Sequence, residues 1–268
     1  MNLARYFNIF ILYSQFVLEI KSKAIVWFLG MLVSSLILLL FWNMAAYSNG
    51  GSIGGWDRSS FTTYYLLIAI AANFFIAHIE KSVALDDIQK GELSAYILRP
   101  IHYYTFKFLS ELPWRFVEGG FAIIATIMIF VVAPQFIHFS TSLIVLFLAI
   151  IMVVLAYFIS FTFKMCLGIL AFWLTEINGF MQLAEIAMAI CGGIIIPLAL
   201  LPSNVKLAFD LTPFPYMIYY PIVSLLGKLS IQTELYAISG QLIWLFILSL
   251  LYKFLWSKGR KKFTGVGQ

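Results

Sequence analysis

The chain has 268 residues, 62% of them hydrophobic and only 11% charged, with a mean hydropathy of +0.96. Soluble domains run at about 45–50% apolar and about 25% charged residues, so this composition excludes a soluble domain, a disordered chain and a disulfide-stapled scaffold. The net charge of +5 is accounted for below by membrane topology rather than by nucleic acid.

Residues 1 to 23 read as an amphipathic helix lying on the inner membrane surface. Leu3, Tyr6, Phe7, Phe10, Ile11, Ser14, Phe16, Val17 and Ile20 recur at helical spacing, opposite Asn2, Arg5, Asn8, Gln15 and Glu19. The competing reading is a cytoplasmic extension of the first span. A cleavable signal peptide is not expected, because the first apolar run exceeds the 7–15 residues of an h-region.

A hydrocarbon core about 30 Å thick takes roughly 20 helical residues to cross. Six apolar runs approach that length: Ala24 to Ala46, Phe61 to Ile79, Phe116 to Ala133, Ser142 to Leu174, Phe180 to Leu201 and Leu235 to Trp256. Their apolarity is continuous rather than alternating, which predicts an all-α membrane protein and not a barrel. With six alternating spans and a cytoplasmic amino terminus, 14 of the 17 Lys and Arg residues fall inside, leaving Arg58, Lys206 and Lys228 outside. Both termini are therefore expected in the cytoplasm. The basic tail from Lys253 to Lys262 has a second reading, contact with anionic lipid.

Between spans two and three, residues 80 to 115 form the longest cytoplasmic loop. Glu80, Lys81, Asp86, Asp87 and Lys90 interleave with Ile79, Val83 and Ile88 to predict an amphipathic helix stopped at Gly91. A second short helix, from Glu92 to Leu98, is predicted to end before Pro100. Between spans five and six, residues 202 to 234 are apolar but broken by Pro202, Pro213, Pro215 and Pro221. That segment predicts re-entrant or interfacial helices, with Tyr216, Tyr219 and Tyr220 at the headgroup level.

Catalytic and nucleotide-binding signatures are missing. Gly227-Lys228 has Ile222 where a phosphate loop needs its first glycine and Leu229 where it needs Ser or Thr. No zinc helix or nucleophile elbow occurs, and His78, His102 and His138 are scattered. Residues 50 to 55 are glycine-rich but lie in an outer loop. Ionisable and polar groups at membrane depth remain, because each ionisable one costs on the order of 3 kcal/mol at a helix centre. Asn73, Lys164 and Glu185 qualify, and Lys164 and Glu185 are placed to pair across helices. A gate or proton-coupled site, a structural pair and a snorkelling lysine are all consistent with that spacing.

The wording Gly91-Glu92-Leu93, then Leu98-Arg99-Pro100, resembles the loop after span two of type-2 ATP-binding-cassette (ABC) exporter permeases, most narrowly the viologen or multidrug exporter subgroup. Phe172-Trp173, Gly192-Gly193, Pro197, Pro202 and Pro213-Phe214-Pro215 resemble that family's end of span four and outer end of span five. Cys191 stands where the family usually has serine.

The resemblance implies a transport subunit, not an enzyme, in the bacterial cytoplasmic (inner) membrane. It would pair with a second permease copy, identical or related, and with a separate ATPase. ATP and Mg²⁺ would sit on that ATPase, with no cofactor in this chain. The loop holding Gly91, Glu92, Leu93, Leu98, Arg99 and Pro100 would couple to the ATPase, and the segment of Gly192, Pro197, Pro202, Pro213 and Pro215 would form the outer gate. A proton- or ion-coupled secondary transporter is the alternative; residues 1 to 133 and 134 to 268 show no convincing internal repeat of the kind such folds commonly carry. A membrane-embedded enzyme would need a polar catalytic pair that the spans lack.

Overall fold

The computed structural model describes residues 3–132 and 142–264, and these are mostly helical. The end of the third apolar run at Ala133, and His138, lie outside the described residues. Helix α1 (Leu3–Glu19) is followed by α2 (Lys21–Ser48). A two-residue hairpin of β1 (Ser52–Ile53) and β2 (Trp56–Asp57) leads into α3 (Arg58–Phe74). A π-helical segment over Ser82–Gln89 and the short α4 (Leu93–Ile97) precede α5 (Tyr103–Val132). Helix α6 (Leu143–Ile169) and α7 (Asn178–Cys191) follow. Then come α8 (Ser203–Asp210), α9 (Phe214–Met217), α10 (Tyr219–Leu225) and α11 (Ile231–Gly259).

Among the described residues, four helices are long and apolar enough to cross a membrane: those over Ile25–Ser48, Tyr103–Val131, Leu143–Phe172 and Ile231–Gly259. The second and fifth apolar runs behave differently. Helix α3 has 17 residues and α7 has 14, about 25 Å and about 21 Å at 1.5 Å per residue. Each gives way to a non-helical segment before its run ends: α3 stops at Phe74 rather than Ile79, and α7 at Cys191 rather than Leu201. The third run extends the other way. Residues 103 to 115, read from their charges as loop, are the first turns of α5.

Helix α6 packs along α11, α2 along α3 and α1 along α5. Two buried clusters result. At the hairpin end, Trp56, Phe61, Tyr64, Tyr65, Met152, Met217, Tyr219 and Tyr220 join α3, α6, α9 and α10. At the end carrying most of the basic residues, hereafter the basic end, Val83, Leu93, Tyr103, Phe161, Met165, Phe172 and Tyr252 join the π-helical segment to α5, α6 and α11. Outside these clusters, Val33, Ile37, Leu40, Phe147, Ile150, Phe246 and Leu250 point outward. An apolar exterior of this extent is what a lipid solvent requires.

Candidate coupling element and buried charge network

The charged loop after α3 folds into a pedestal with an exposed tip. Gly91 turns the chain at φ +81°, a left-handed conformation that only glycine adopts freely. Leu93 then points inward and is fully buried. Glu92, Ile97, Leu98, Arg99 and Pro100 are exposed, Leu98 to 86%. An isolated leucine that bare, at the end of a five-residue helix far too short to be stable alone, is held up by what lies beneath it.

Beneath it is a set of charge-assisted contacts. Tyr103 donates its hydroxyl to Asp87, and Lys107 of α5 pairs with the same carboxylate at 2.5 Å while reaching Ser82 Oγ at 3.2 Å. Burial pushes the Asp87 carboxyl above its usual range, against the opposing pull of Lys107. The Arg99 guanidinium lies 4.8 Å over the Tyr96 ring and 5.1 Å over Phe106. Burial, reinforced by Asp87, pushes the Tyr96 hydroxyl up to about 12. Arg5 Nη1 of α1 donates to the Pro100 carbonyl at 3.2 Å, and the Tyr13 and Phe106 rings meet edge to face at 5.8 Å. Helix α1 is thereby fastened to both the tip and α5.

A second network holds the unwound end of α3. Residues 75 to 79 are not helical, so their backbone groups need partners from elsewhere in an environment without water. Arg115 of α5 serves one of them and one carbonyl of the last turn of α3: Nη1 donates to Ile76 O at 3.0 Å and to Asn73 O at 3.2 Å. The same guanidinium pairs with Glu111 at 3.0 Å and Glu118 at 2.9 Å, one turn away on either side. Glu111 accepts from the His78 N–H at 3.0 Å, and Ser160 Oγ accepts from the Ala77 N–H at 3.0 Å. Asn73 is buried, and its side chain donates to Ala69 O at 2.7 Å within α3.

The intramembrane lysine does not pair as its spacing suggested. Lys164 Nζ lies 2.7 Å from Glu80 Oε1, with 1% and 2% of the two side chains exposed. Glu185 is exposed on α7 and makes no pair with Lys164. Glu80 displaces it because the unwound chain after α3 carries Glu80 back against α6. Glu185 instead lines a cavity of about 410 Å³ at the basic end, together with Trp27, His78, Glu80, Arg115 and Glu118.

At the hairpin end the break after α7 is satisfied by aromatic donors. Gly192 caps α7, its N–H donating to Met188 O at 2.8 Å, and Gly193 continues at φ +82°. Tyr64 donates to Gly193 O at 2.7 Å, and both Tyr65, at 2.9 Å, and Trp42, at 3.0 Å, donate to Ile195 O. Pro197 and Pro202 sit one before the 3-10 turn Leu198–Leu200 and one before α8. Pro213 precedes α9, and Pro215 is buried within it. Beyond, Gln241 of α11 donates to Met152 O at 2.9 Å and Tyr216 O at 2.8 Å.

Glu80, Asp87, Lys107, Glu111 and Arg115 are the buried charged groups that sequence reasoning assigned to the cytoplasmic loop. For Glu111 and Arg115 the signal was the i, i+4 and i, i+3 spacing of Glu111, Arg115 and Glu118. Among the described residues no group of three or more His, Cys, Asp or Glu is placed to hold a metal ion.

No curated protein and no solved structure matches the chain. The model of the ABC-2 family transporter proteins matches residues 29–267. With membrane-crossing helices and this match over most of its length, the chain is a multi-pass membrane protein belonging to the ABC-2 transporter permease family.

Proposed function

We propose that the chain is the membrane subunit of an ABC exporter that moves its substrate outward using ATP and Mg²⁺ held by a separate ATPase, closest to the viologen or multidrug exporter permeases. The observation that carries the coupling role is the exposed Ile97–Pro100 tip standing on a buried, ion-paired base. An apolar knob on a rigid support fits a groove of a partner that pushes and pulls. Force applied at Leu98 would pass through Tyr103, Asp87 and Lys107 to α5, and through the Arg5–Pro100 contact to α1.

In this reading both termini are cytoplasmic, and the chain crosses the bacterial inner membrane six times. Helices α3 and α7 cross with help from their non-helical extensions, whose backbone groups are met by Arg115, Ser160, Trp42, Tyr64 and Tyr65. Such breaks are tolerated at membrane depth where protein covers them. Residues 202 to 234 form a re-entrant outer gate, α1 lies along the inner surface, and a second permease copy, identical or related, completes the path. Nucleotide-driven switching then requires the ATPase to bind the two states of the permease differently, with the tip as the point of contact.

Mild extraction of the tagged chain from its native membrane followed by mass spectrometry tests this. A near-stoichiometric ATPase is the expected result. A chain that transports after reconstitution without any ATPase would overturn it.

A further inference from the structure

A second cavity at the basic end, of about 340 Å³, lies between the start of α5 and the last turns of α11. His102, Tyr104, Thr105, Ser249, Lys253 and Trp256 line it, with Tyr103 and Tyr252 completing the wall. The lining contains a cation, an imidazole, two aliphatic hydroxyls and three tyrosines but no carboxylate. Asp87 of the π-helical segment, which the wall residue Tyr103 contacts, is already taken by Tyr103 and Lys107. The aromatic wall is fixed: Trp256 stacks on Tyr103 with centroids 4.8 Å apart and planes 5° off parallel, and Tyr104 meets Tyr252 edge to face at 5.0 Å. Lys253 is exposed and begins the basic run that continues through Lys258, Arg260, Lys261 and Lys262.

We propose that this cavity binds the phosphodiester headgroup of an anionic phospholipid, with Lys253, His102, Thr105 and Ser249 meeting the phosphate. Three observations select that ligand. The site sits at the ends of two helices long and apolar enough to cross the membrane, where headgroups lie. Its one-sided charge favours an anion. Its Tyr and Trp wall, apolar on one side and wet on the other, matches the boundary between acyl chains and headgroups. The inference needs only membrane insertion and does not rest on the transport reading.

Native mass spectrometry from mixed phosphatidylglycerol and phosphatidylcholine nanodiscs tests it. Wild type should retain phosphatidylglycerol preferentially. Lys253→Ala should reduce that preference about fivefold, the equivalent of one basic contact at about 1 kcal/mol. Ser249→Phe, which fills the cavity and keeps every charge, should reduce it as well. Lys258→Ala with Lys261→Ala, outside the cavity, should leave it largely intact. Equal retention of both lipids, or a loss in the Lys258/Lys261 variant as large as in Lys253→Ala, would overturn the site. Displacement of the lipid by an excess of inorganic phosphate would assign it to a soluble anion instead. Melting of each variant in lipid-free detergent, compared with wild type, separates loss of the lipid from loss of the fold.

Discussion

Lys164 and Glu80, 84 residues apart, meet at 2.7 Å in an interior that leaves 1% and 2% of their side chains exposed. The pair ties α6 to the chain that leaves α3, at the point where the charged pedestal begins. Removing one partner strands the other charge without water, which costs about 3–5 kcal/mol. Lys164→Met should therefore lower the melting temperature in detergent sharply, and Glu80→Gln with Lys164→Met should recover most of the loss. Glu185→Gln should leave melting unchanged, since Glu185 takes no part in the pair. A double variant no better than Lys164→Met would show that the two residues are not coupled.

The Tyr64 hydroxyl gives its hydrogen bond to Gly193 O inside the hairpin-end cluster. Tyr64→Phe keeps the ring packing and leaves that carbonyl unmet, a loss of about 1–3 kcal/mol. If residues 192 to 202 form a gate, the same variant should also raise passive leak of a small dye from proteoliposomes. Trp42→Phe, acting on Ile195 O, should do so more weakly, because Tyr65 still serves that carbonyl. Tight vesicles with both variants would separate the aromatic donors from gating.

Much of this architecture was legible. Continuous apolar runs gave α2, α5, α6 and α11 because lipid tolerates little else over that length. Gly91 and Pro100 bounded α4 because one supplies a positive φ and the other ends helices. The buried charges were not legible, and for a physical reason. Lys107 and Arg115 look solvated by composition, yet Lys107 reaches inward to Asp87, and Arg115 to the carbonyls of Asn73 and Ile76 that are left open where α3 unwinds. Which acid faces Lys164 depends on where that unwound chain returns, and spacing along a single helix carries no such information. The aromatic donors Trp42, Tyr64 and Tyr65 were equally silent, since the carbonyls they serve exist only once α7 has stopped.

Asp57 caps α3 by accepting from the Ser60 N–H at 3.0 Å and from its hydroxyl at 2.5 Å. These hydrogen bonds hold its carboxyl below the ordinary carboxylate range. A lowered folded value means the stabilisation is fully present above the unfolded pKa of about 3.9 and is lost as pH falls through the folded value. Wild type should melt above Asp57→Asn at neutral pH, and the gap should close below about pH 4. A gap independent of pH would mean that charge contributes nothing to the cap.

Leu98 and Leu93 make a controlled pair, five positions apart on one short element and opposite in environment. Leu98 is 86% exposed and Leu93 is fully buried in the basic-end cluster. Leu93→Ala removes core contacts and should cost about 2–5 kcal/mol, lowering melting and expression. Leu98→Asp changes a side chain that is 86% exposed, so melting should hold while co-purification of the ATPase falls at least tenfold, about 1.4 kcal/mol of lost association. Glu92→Ala with Arg99→Ala should act in the same direction, uncoupling ATP hydrolysis from transport with the protein still in the membrane. Arg99 also covers the Tyr96 and Phe106 rings, so its loss should loosen the base of the tip and exceed the effect of Glu92→Ala alone. An ATPase that binds and hydrolyses normally beside Leu98→Asp would place the contact elsewhere. The remaining candidate would then be the Arg5 end of α1, the other exposed element joined to the tip.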